Sequence, residues 1–419
     1  MKTYTYKLKP HKKNKILHTK INAAGVIWNR LVRIMERHRR MFYKRDATEV
    51  PAEWVSTFER MRENKRYKGH PFSSYRSYNL LQRIRNGSGR FSHVLNELDA
   101  QTIQQLTQRV ERAYKLFFTK LKHGERRIEP VKTKNPNYYP SFTMQKSGYK
   151  FDWLNSAVRI SKDTFRFFAD RIPGDKIKTV TVKRDNLKDL WLYVVTGEVD
   201  ETQTKDTRPV VGIDLWVQPM LTLSDGTRYQ LPTFYTDALA ELRRIDKSLS
   251  KKREEAKKRA DPESEERTPP SNKYLNLREK RARIYRDIAN KRREHHIQLA
   301  RELSQKYGAI AIVDAPVKRL QRLSGFKVSD TSPSLLLSWL DAQCAKTGTK
   351  LIKVPGRLEL LKICHNCGHM LEKAPKKGEW VCPECGNKNE RELNIAQNIG
   401  AIAIKILEAE ALEANKTAS

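Results

Sequence analysis

The chain carries 83 Lys and Arg residues against 48 Asp and Glu over 419 positions, a formal net charge of +35. Such a length holds two or three domains with sizeable cores. It is not a membrane-spanning protein by composition, because no run reaches the roughly 18 apolar residues that a bilayer requires. Five cysteines, four of them within 22 residues, do not make a secreted disulfide scaffold. A 38% hydrophobic content in repeated amphipathic segments is too high for a disordered polycation. Met1–His11 alternates polar and apolar positions and lacks the apolar core of a signal peptide. What remains is a folded chain whose charge attracts a polyanion, nucleic acid before all others. The charge is spread widely: residues 1–50 hold 14 Lys and Arg against 3 Asp and Glu, and basic clusters recur at 62–68 and 251–258. Tyr67, Tyr75, Tyr78, Tyr138 and Tyr139 are interleaved with them and suit stacking on exposed bases.

In chain order, residues 2–10 (KTYTYKLKP) alternate and stop at proline, which predicts a strand. Ile21, Ala24, Val26, Ile27, Leu31 and Ile34 predict a helix from Thr19 to about Lys44. The stretch 45–95 is polar, basic and helical in patches, interrupted by Pro51, Pro71 and the turn at Gly87–Gly89. A cleaner helix runs from Ala100 to about Lys120 on Ile103, Leu106, Val110, Ala113 and Phe117, with Asp99 placed to cap a first-turn amide. Thr102 excludes a full capping box. Residues 139–200 are strand-rich, with SFTMQ, TVTVK and LWLYVVTG. ETQTKDTR (201–208) reads as a domain boundary. PVVGIDL and PMLTLSDG then predict a hairpin, and 235–308 a basic helical excursion broken at 261–272. AIAIVDAP (309–316) fits a central strand, Thr331–Thr347 an amphipathic helix, TKLIKVP a further strand and Asn394–Ala411 a final helix. This order predicts an α/β fold with a mixed sheet.

Cys364 and Cys367, then Cys382 and Cys385, form two C-x2-C pairs separated by 14 residues, and a glycine follows each pair at Gly368 and Gly386. Four thiolates at this spacing suit a tetrahedral Zn²⁺ with no open position, hence a structural ion. His365 and His369 are expected to be solvated or to face phosphate rather than to ligate, and Cys344 to be a small buried hydrophobe.

GIDLWVQPMLTLSDG, NKRREHHIQLA, AIVDAPVKRL, CHNCG…CPECG and NERELNIAQNI together resemble the transposon-encoded TnpB proteins and the compact Cas12 effectors, RNA-guided DNA nucleases with a RuvC-like fold. The resemblance is strong over residues 205–405. It is weaker in the N-terminal half, on YTYKLKP, AAGVIWNRLV and QRVERAYKLFF. It implies an α/β RuvC-like (RNase H fold) domain at 205–360 and 389–419 with an inserted zinc ribbon at 361–388. It further implies a β-barrel-like wedge domain at 1–18 and 121–204, and a helical recognition domain at 19–120.

Carried over position by position, the family's first metal aspartate falls on Asp214, its glutamate on Val313 and its last aspartate on Glu392. Two ions about 3.5–4 Å apart need several carboxylates. Val313 offers no oxygen, and Glu392 reaches further than an aspartate. Asp314 is a possible substitute, although neighbours on a strand point to opposite faces. Trp216 stands where the family commonly has glycine. The expectation drawn from this site is an RNA-guided, double-stranded-DNA-binding repressor that occludes promoters without cutting. Such a protein is not an enzyme and needs no Mg²⁺ to bind. The alternative is a transposon-type endonuclease using Asp214, Asp314 and Glu392. The implied partners are a guide RNA with a structured scaffold and target DNA with a short flanking motif, with no membrane, one protein copy per particle and a nucleoid-associated, cytoplasmic location. Lys7, Lys9, Asn29, Tyr67, Tyr75, Arg292 and Arg293 are the candidate nucleic-acid contacts.

Overall fold

The computed structural model describes residues 2–43, 74–124, 129–197, 208–214, 220–259, 270–313, 330–354, 357–375 and 378–418. The chain divides into two compact units, Met1–Val199 and Asp200–Ser419.

The first unit opens on β1 (Thr3–Lys7), followed by α1 (Asn14–Tyr43), α2 (Ser74–Arg85), α3 (Arg90–Asn96) and α4 (Ala100–Lys122). On α1 the fully buried positions Leu17, Ile21, Ala24, Trp28, Leu31 and Met35 recur at three and four, so one apolar stripe faces the core. The helix begins five residues before its predicted start, because the stripe extends back to Leu17. On α4 Ile103, Leu106, Val110, Tyr114 and Phe117 do the same. The predicted cap is not made: Asp99 precedes α4 but bonds no helix amide, and its Oδ2 accepts from Ser161 Oγ at 2.9 Å instead. A tertiary partner has taken the carboxylate.

Strands β2 (Ser141–Met144), β6 (Ile177–Arg184) and β7 (Leu190–Thr196) join β1 in an antiparallel sheet of order β1-β7-β6-β2. β3 (Tyr149–Asp152), β4 (Ala157–Ile160) and β5 (Asp163–Arg166) form a second antiparallel sheet.

The second unit is built on a five-stranded mixed sheet of order β10-β9-β8-β11-β12. β8 (Val210–Asp214) pairs antiparallel with β9 (Met220–Leu223), which pairs antiparallel with β10 (Arg228–Gln230). β11 (Ala309–Val313) lies parallel between β8 and β12 (Lys350–Val354), as predicted for a central strand. Helices α5 (Phe234–Arg259) and α6 (Asn272–Lys306) form the basic excursion, and α7 (Pro333–Thr347) precedes β12. A short α8 (Arg357–Leu360) and the hairpin of β13 (Glu379–Val381) and β14 (Lys388–Glu390) lead into α9 (Arg391–Ala418).

Both faces of this sheet are covered. Val211, Ile213, Ile310 and Ile312 pack with Leu299 and Leu303 of α6 and with Leu336 and Leu340 of α7. Ala311 packs on the opposite side with Ile395, Ile399 and Ala403 of α9, and Val313 lies against the same cluster. Two buried faces require apolar residues at every position, which is why AIAIV reads as an unbroken run rather than an alternation. Cys344 sits buried in α7, as expected, and burial pushes its thiol up to about 11.

Candidate metal centres and nucleic-acid interface

Asp214 ends β8 with only 3% exposure. Side chains alternate along a strand, so Gly212 and Asp214 share a face. That face lies under α9: a Cβ on Gly212 would collide with the Ala396 carbonyl and the Gly400 amide. Glu392, Ala396 and Gly400 are spaced by four, so they line one stripe of the helix.

Two ion pairs fix the direction of that helix. In the ladder Asp214 opposes Thr222, and Thr222 opposes Arg228. The Arg228 guanidinium bonds the Glu390 carboxylate, immediately before α9. At the far end Val210 opposes Ala309 and Ala309 opposes Lys350, whose Nζ lies 3.0 Å from Glu410. The helix α9 therefore runs antiparallel to β8 and begins at the Asp214 end. Glu392 stands in its first turn, where the helix dipole favours negative charge.

Ile312 opposes Ile213, so Val313 stands one step further, level with Asp214. It shares the α9 side with Ala311. Val313 thus sets an apolar side chain beside a buried carboxylate, on the same face. Asp214 and Glu392 offer oxygens suited to a hard cation and Val313 offers none. Asp314, Trp216 and Tyr67 lie outside the described residues. Glu390 is engaged by Arg228.

The four cysteine Sγ atoms lie within 4.8 Å of one another. Cys364 to Cys385 is 3.8 Å and Cys367 to Cys382 is 3.7 Å. Four sulfurs about 2.3 Å from a tetrahedral ion stand about 3.8 Å apart, so the cluster fits Zn²⁺. Gly368 and Gly386 have φ of +77° and +68°, left-handed turns that a side chain would strain. They let the Gly368 and Gly386 amides bond the carbonyls of Cys364 and Cys382 at 2.8 and 3.0 Å. Asn389 Nδ2 donates to Cys364 Sγ at 3.5 Å and Asn366 Nδ2 to Cys385 Sγ at 3.7 Å. Donation from the Asn387 amide and from Asn366 pulls the Cys385 thiol down to about 6, toward the thiolate a metal needs. His365 is exposed, and His369 lies 4.0 Å from Glu384 rather than in the cluster.

Two asparagines of α9 tie this module to the sheet. Asn394 Nδ2 donates to the Ile363 carbonyl at 2.8 Å, and its Oδ1 accepts from the His365 amide at 2.8 Å. Asn398 Nδ2 reaches the Leu360 and Ile363 carbonyls at 3.2 and 2.9 Å. Both are buried. Their signal in the sequence is two asparagines four apart on an otherwise apolar helix face.

The expected nucleic-acid contacts separate. Lys7 is half-buried, 2.8 Å from Asp189 Oδ2 and 5.8 Å from the Trp191 ring centre. Lys9 lies 5.3 Å over the Phe168 ring and Tyr75 is exposed on α2. Asn29 is occupied at both ends of its amide: it donates to the Lys134 carbonyl at 2.6 Å and accepts from the Lys134 amide at 2.7 Å. Arg293 is exposed on α6, whereas Arg292 turns inward with 15% side-chain exposure toward Asp330 at 3.9 Å. Asp330 also accepts from the Tyr235 and Thr236 amides at the start of α5. His296 is wholly buried, with Nε2 3.0 Å from the Thr331 carbonyl, and burial lowers it to about 4.

Residues 192–323 match the family model OrfB_IS605, described as "Probable transposase", and residues 334–399 match "Cas12f1-like, TNB domain". A Streptomyces pristinaespiralis protein named "Putative RNA-guided DNA endonuclease" is 25% identical over 317 residues, 74% of this chain and 73% of that one. "Putative RNA-guided DNA endonuclease InsQ" of Escherichia coli (strain K12) is 26% identical over 237 residues, 56% of this chain and 53% of the relative. Among solved structures, a Cas12f1–sgRNA–target DNA complex aligns over 93% of this chain and 83% of that one, with a TM-score of 0.51 and 16% identity. Over these two stretches the chain is similar to a transposase family and to the Cas12f1-like TNB domain, and over about three quarters of its length it is similar to a protein named a putative RNA-guided DNA endonuclease.

That relationship corrects one expectation. The absence of a carboxylate at Val313 predicted a protein that is not an enzyme, and the relatives matching over much of its length are named as endonucleases. One apolar position does not remove the other oxygens: Asp214 is retained in the sheet, and Glu392 in the helix turn that begins at its end. Among the described residues no helix is long and apolar enough to cross a membrane.

Proposed function

We propose that the chain is an RNA-guided DNA endonuclease whose carboxylate site comprises Asp214, Glu392 and Asp314, with a structural Zn²⁺ on Cys364, Cys367, Cys382 and Cys385. The observation that carries this reading is the antiparallel seating of α9 on β8, which starts the Glu392 helix at the Asp214 end of the strand. The names of the curated relatives and the fold shared with a guide-RNA effector support it.

In this reading, base pairing by the guide supplies sequence selection, and the protein holds the heteroduplex by its backbone and reads a short flanking motif. The basic helices α5 and α6 contribute phosphate contacts, with Arg293 exposed among them. Divalent cations, when bound, supply charge neutralisation and an activated water at the scissile phosphate. Asp214 and Glu392 would hold such ions through their carboxylate oxygens. Asn394 and Asn398 hold the cysteine module against the helix that bears Glu392, so that module and cutting site move together. In the first unit, the β-rich part serves as the wedge and the helices as the recognition domain.

The test is to purify the chain with its RNA, sequence that RNA, and replace its variable 3′ segment. The reading predicts that the bound DNA sequence changes to match the new segment. Selection of one DNA site that survives ribonuclease treatment would overturn it.

A further inference from the structure

The sheet β1-β7-β6-β2 has one face in the core and one outside it. Tyr6, Leu192, Val194, Val180, Val182, Phe142 and their neighbours fill the inner face. On the other face the register aligns Lys7, Trp191, Lys183 and Ser141 in one row across the four strands. Thr5, Tyr193, Thr181 and Thr143 form the next row. Trp191 and Tyr193 therefore stand two residues apart on a central strand, side by side and outside the hydrophobic core. Lys183 is exposed, and its Nζ lies 5.3 Å from the Tyr193 ring centre, as Lys7 Nζ lies 5.8 Å from that of Trp191. At the β2 edge Arg109 of α4 donates to Thr143 Oγ1 at 3.0 Å and to the Ser141 carbonyl at 3.0 Å. Thr143 and Thr181 share a hydroxyl contact of 2.8 Å.

The carboxylates near this face are gathered at one end. Asp185 Oδ2 accepts from Trp191 Nε1 at 3.4 Å, and Asp189 holds Lys7 at 2.8 Å. Among the described residues Lys183 has no carboxylate partner, and the row through Tyr193 carries no acid.

We infer that this outer sheet face is a stacking platform for unpaired nucleotides of an RNA strand, with bases on Trp191 and Tyr193 and a phosphate on Lys183. Base faces stack on aromatic rings with little regard to sequence, and cations beside the rings follow the backbone. A duplex keeps its base faces inside, so the occupant is single-stranded. The Thr5 hydroxyl, which lies in the row of the Tyr193 ring, suits a 2′-hydroxyl, which selects RNA over DNA. The inference rests on the proposed nucleic-acid binding and is independent of cleavage.

The experiment uses the full chain freed of nucleic acid, with a labelled 12-nucleotide single-stranded uridine-rich RNA as probe. Binding is measured across a salt series, and circular dichroism verifies the fold of each variant. Trp191→Leu and Tyr193→Leu are each expected to weaken binding by roughly fivefold or more without altering the salt slope. Trp191→Phe and Tyr193→Phe retain a ring and should bind within about twofold of wild type. Lys183→Gln should lower the slope of log affinity against log salt by about 0.7. A folded Trp191→Leu/Tyr193→Leu double variant with wild-type affinity for the probe overturns the platform, even where guide-programmed DNA binding holds. Equal competition by single-stranded DNA of the same sequence overturns its assignment to RNA.

Discussion

Gly212→Ala tests the contact that brings β8 and α9 together. The added methyl would lie closer than any real contact to two backbone atoms of α9, the Ala396 carbonyl and the Gly400 amide. Neither can rotate away, so the helix must lift by about 1 Å, and overpacking of this kind costs about 1–3 kcal/mol. For a unit of this size each kcal/mol lowers the midpoint by about 2–4 °C, so the melting temperature should fall by about 2–12 °C. The facing substitution Gly400→Ala is the control. Its methyl would meet the Gly212 amide and Ser224 Oγ at 3.3 Å, tight but able to yield. Alanine also gains about 1 kcal/mol of helix propensity there, so little net change is expected. Thermal unfolding of the two variants, read by near-UV circular dichroism, separates them. If Gly212→Ala melts with Gly400→Ala and wild type, the helix does not rest on the strand as described.

Further outcomes follow from the same structure. Cys367→Ser should lower bound zinc below one equivalent and melt the cysteine module early, as metal analysis and a thermal scan would show; full zinc content with wild-type melting would contradict the four-sulfur site. Asn398→Ala removes the Asn398 donor from the Leu360 carbonyl, while the Ile363 carbonyl keeps Asn394, and should cost about 1–3 kcal/mol in urea unfolding. His296 binds its proton near 4 when folded and near 6.5 when unfolded, so stability should be level above about pH 6.5 and fall as pH drops toward 4. His296→Gln should flatten that slope, and an unchanged pH profile would show that His296 is not held neutral by burial.

Much of the fold was legible because the physics was local. Paired cysteines announce a metal by spacing alone, and AIAIV announces a strand buried on both faces. The α9 start was legible only in part. Asn389 and Glu390 belong to β14, and the partner of Glu390 is Arg228, 162 positions away. Asp99 looked like a helix cap because its use by Ser161 is a tertiary event. Asn29 looked free for nucleic acid, and the backbone of Lys134 claims it. The alternation of LWLYVVT was readable, but which of its faces stays outside the core depends on the strand register. At the candidate cutting site the sequence named Asp214, Val313 and Glu392. It could not set the direction of α9, which two ion pairs at its opposite ends decide.

Cutting of DNA at the proposed Asp214 site under RNA guidance has a direct readout. The direct measurement incubates the purified ribonucleoprotein with a guide-matched duplex and Mg²⁺ and resolves the strands by denaturing electrophoresis, for wild type and for Asp214→Asn. Cleavage of the matched duplex by wild type, lost in Asp214→Asn while guided binding changes by less than about threefold, is the predicted result. Tight guide-dependent binding by the wild-type particle that leaves both strands intact would contradict it.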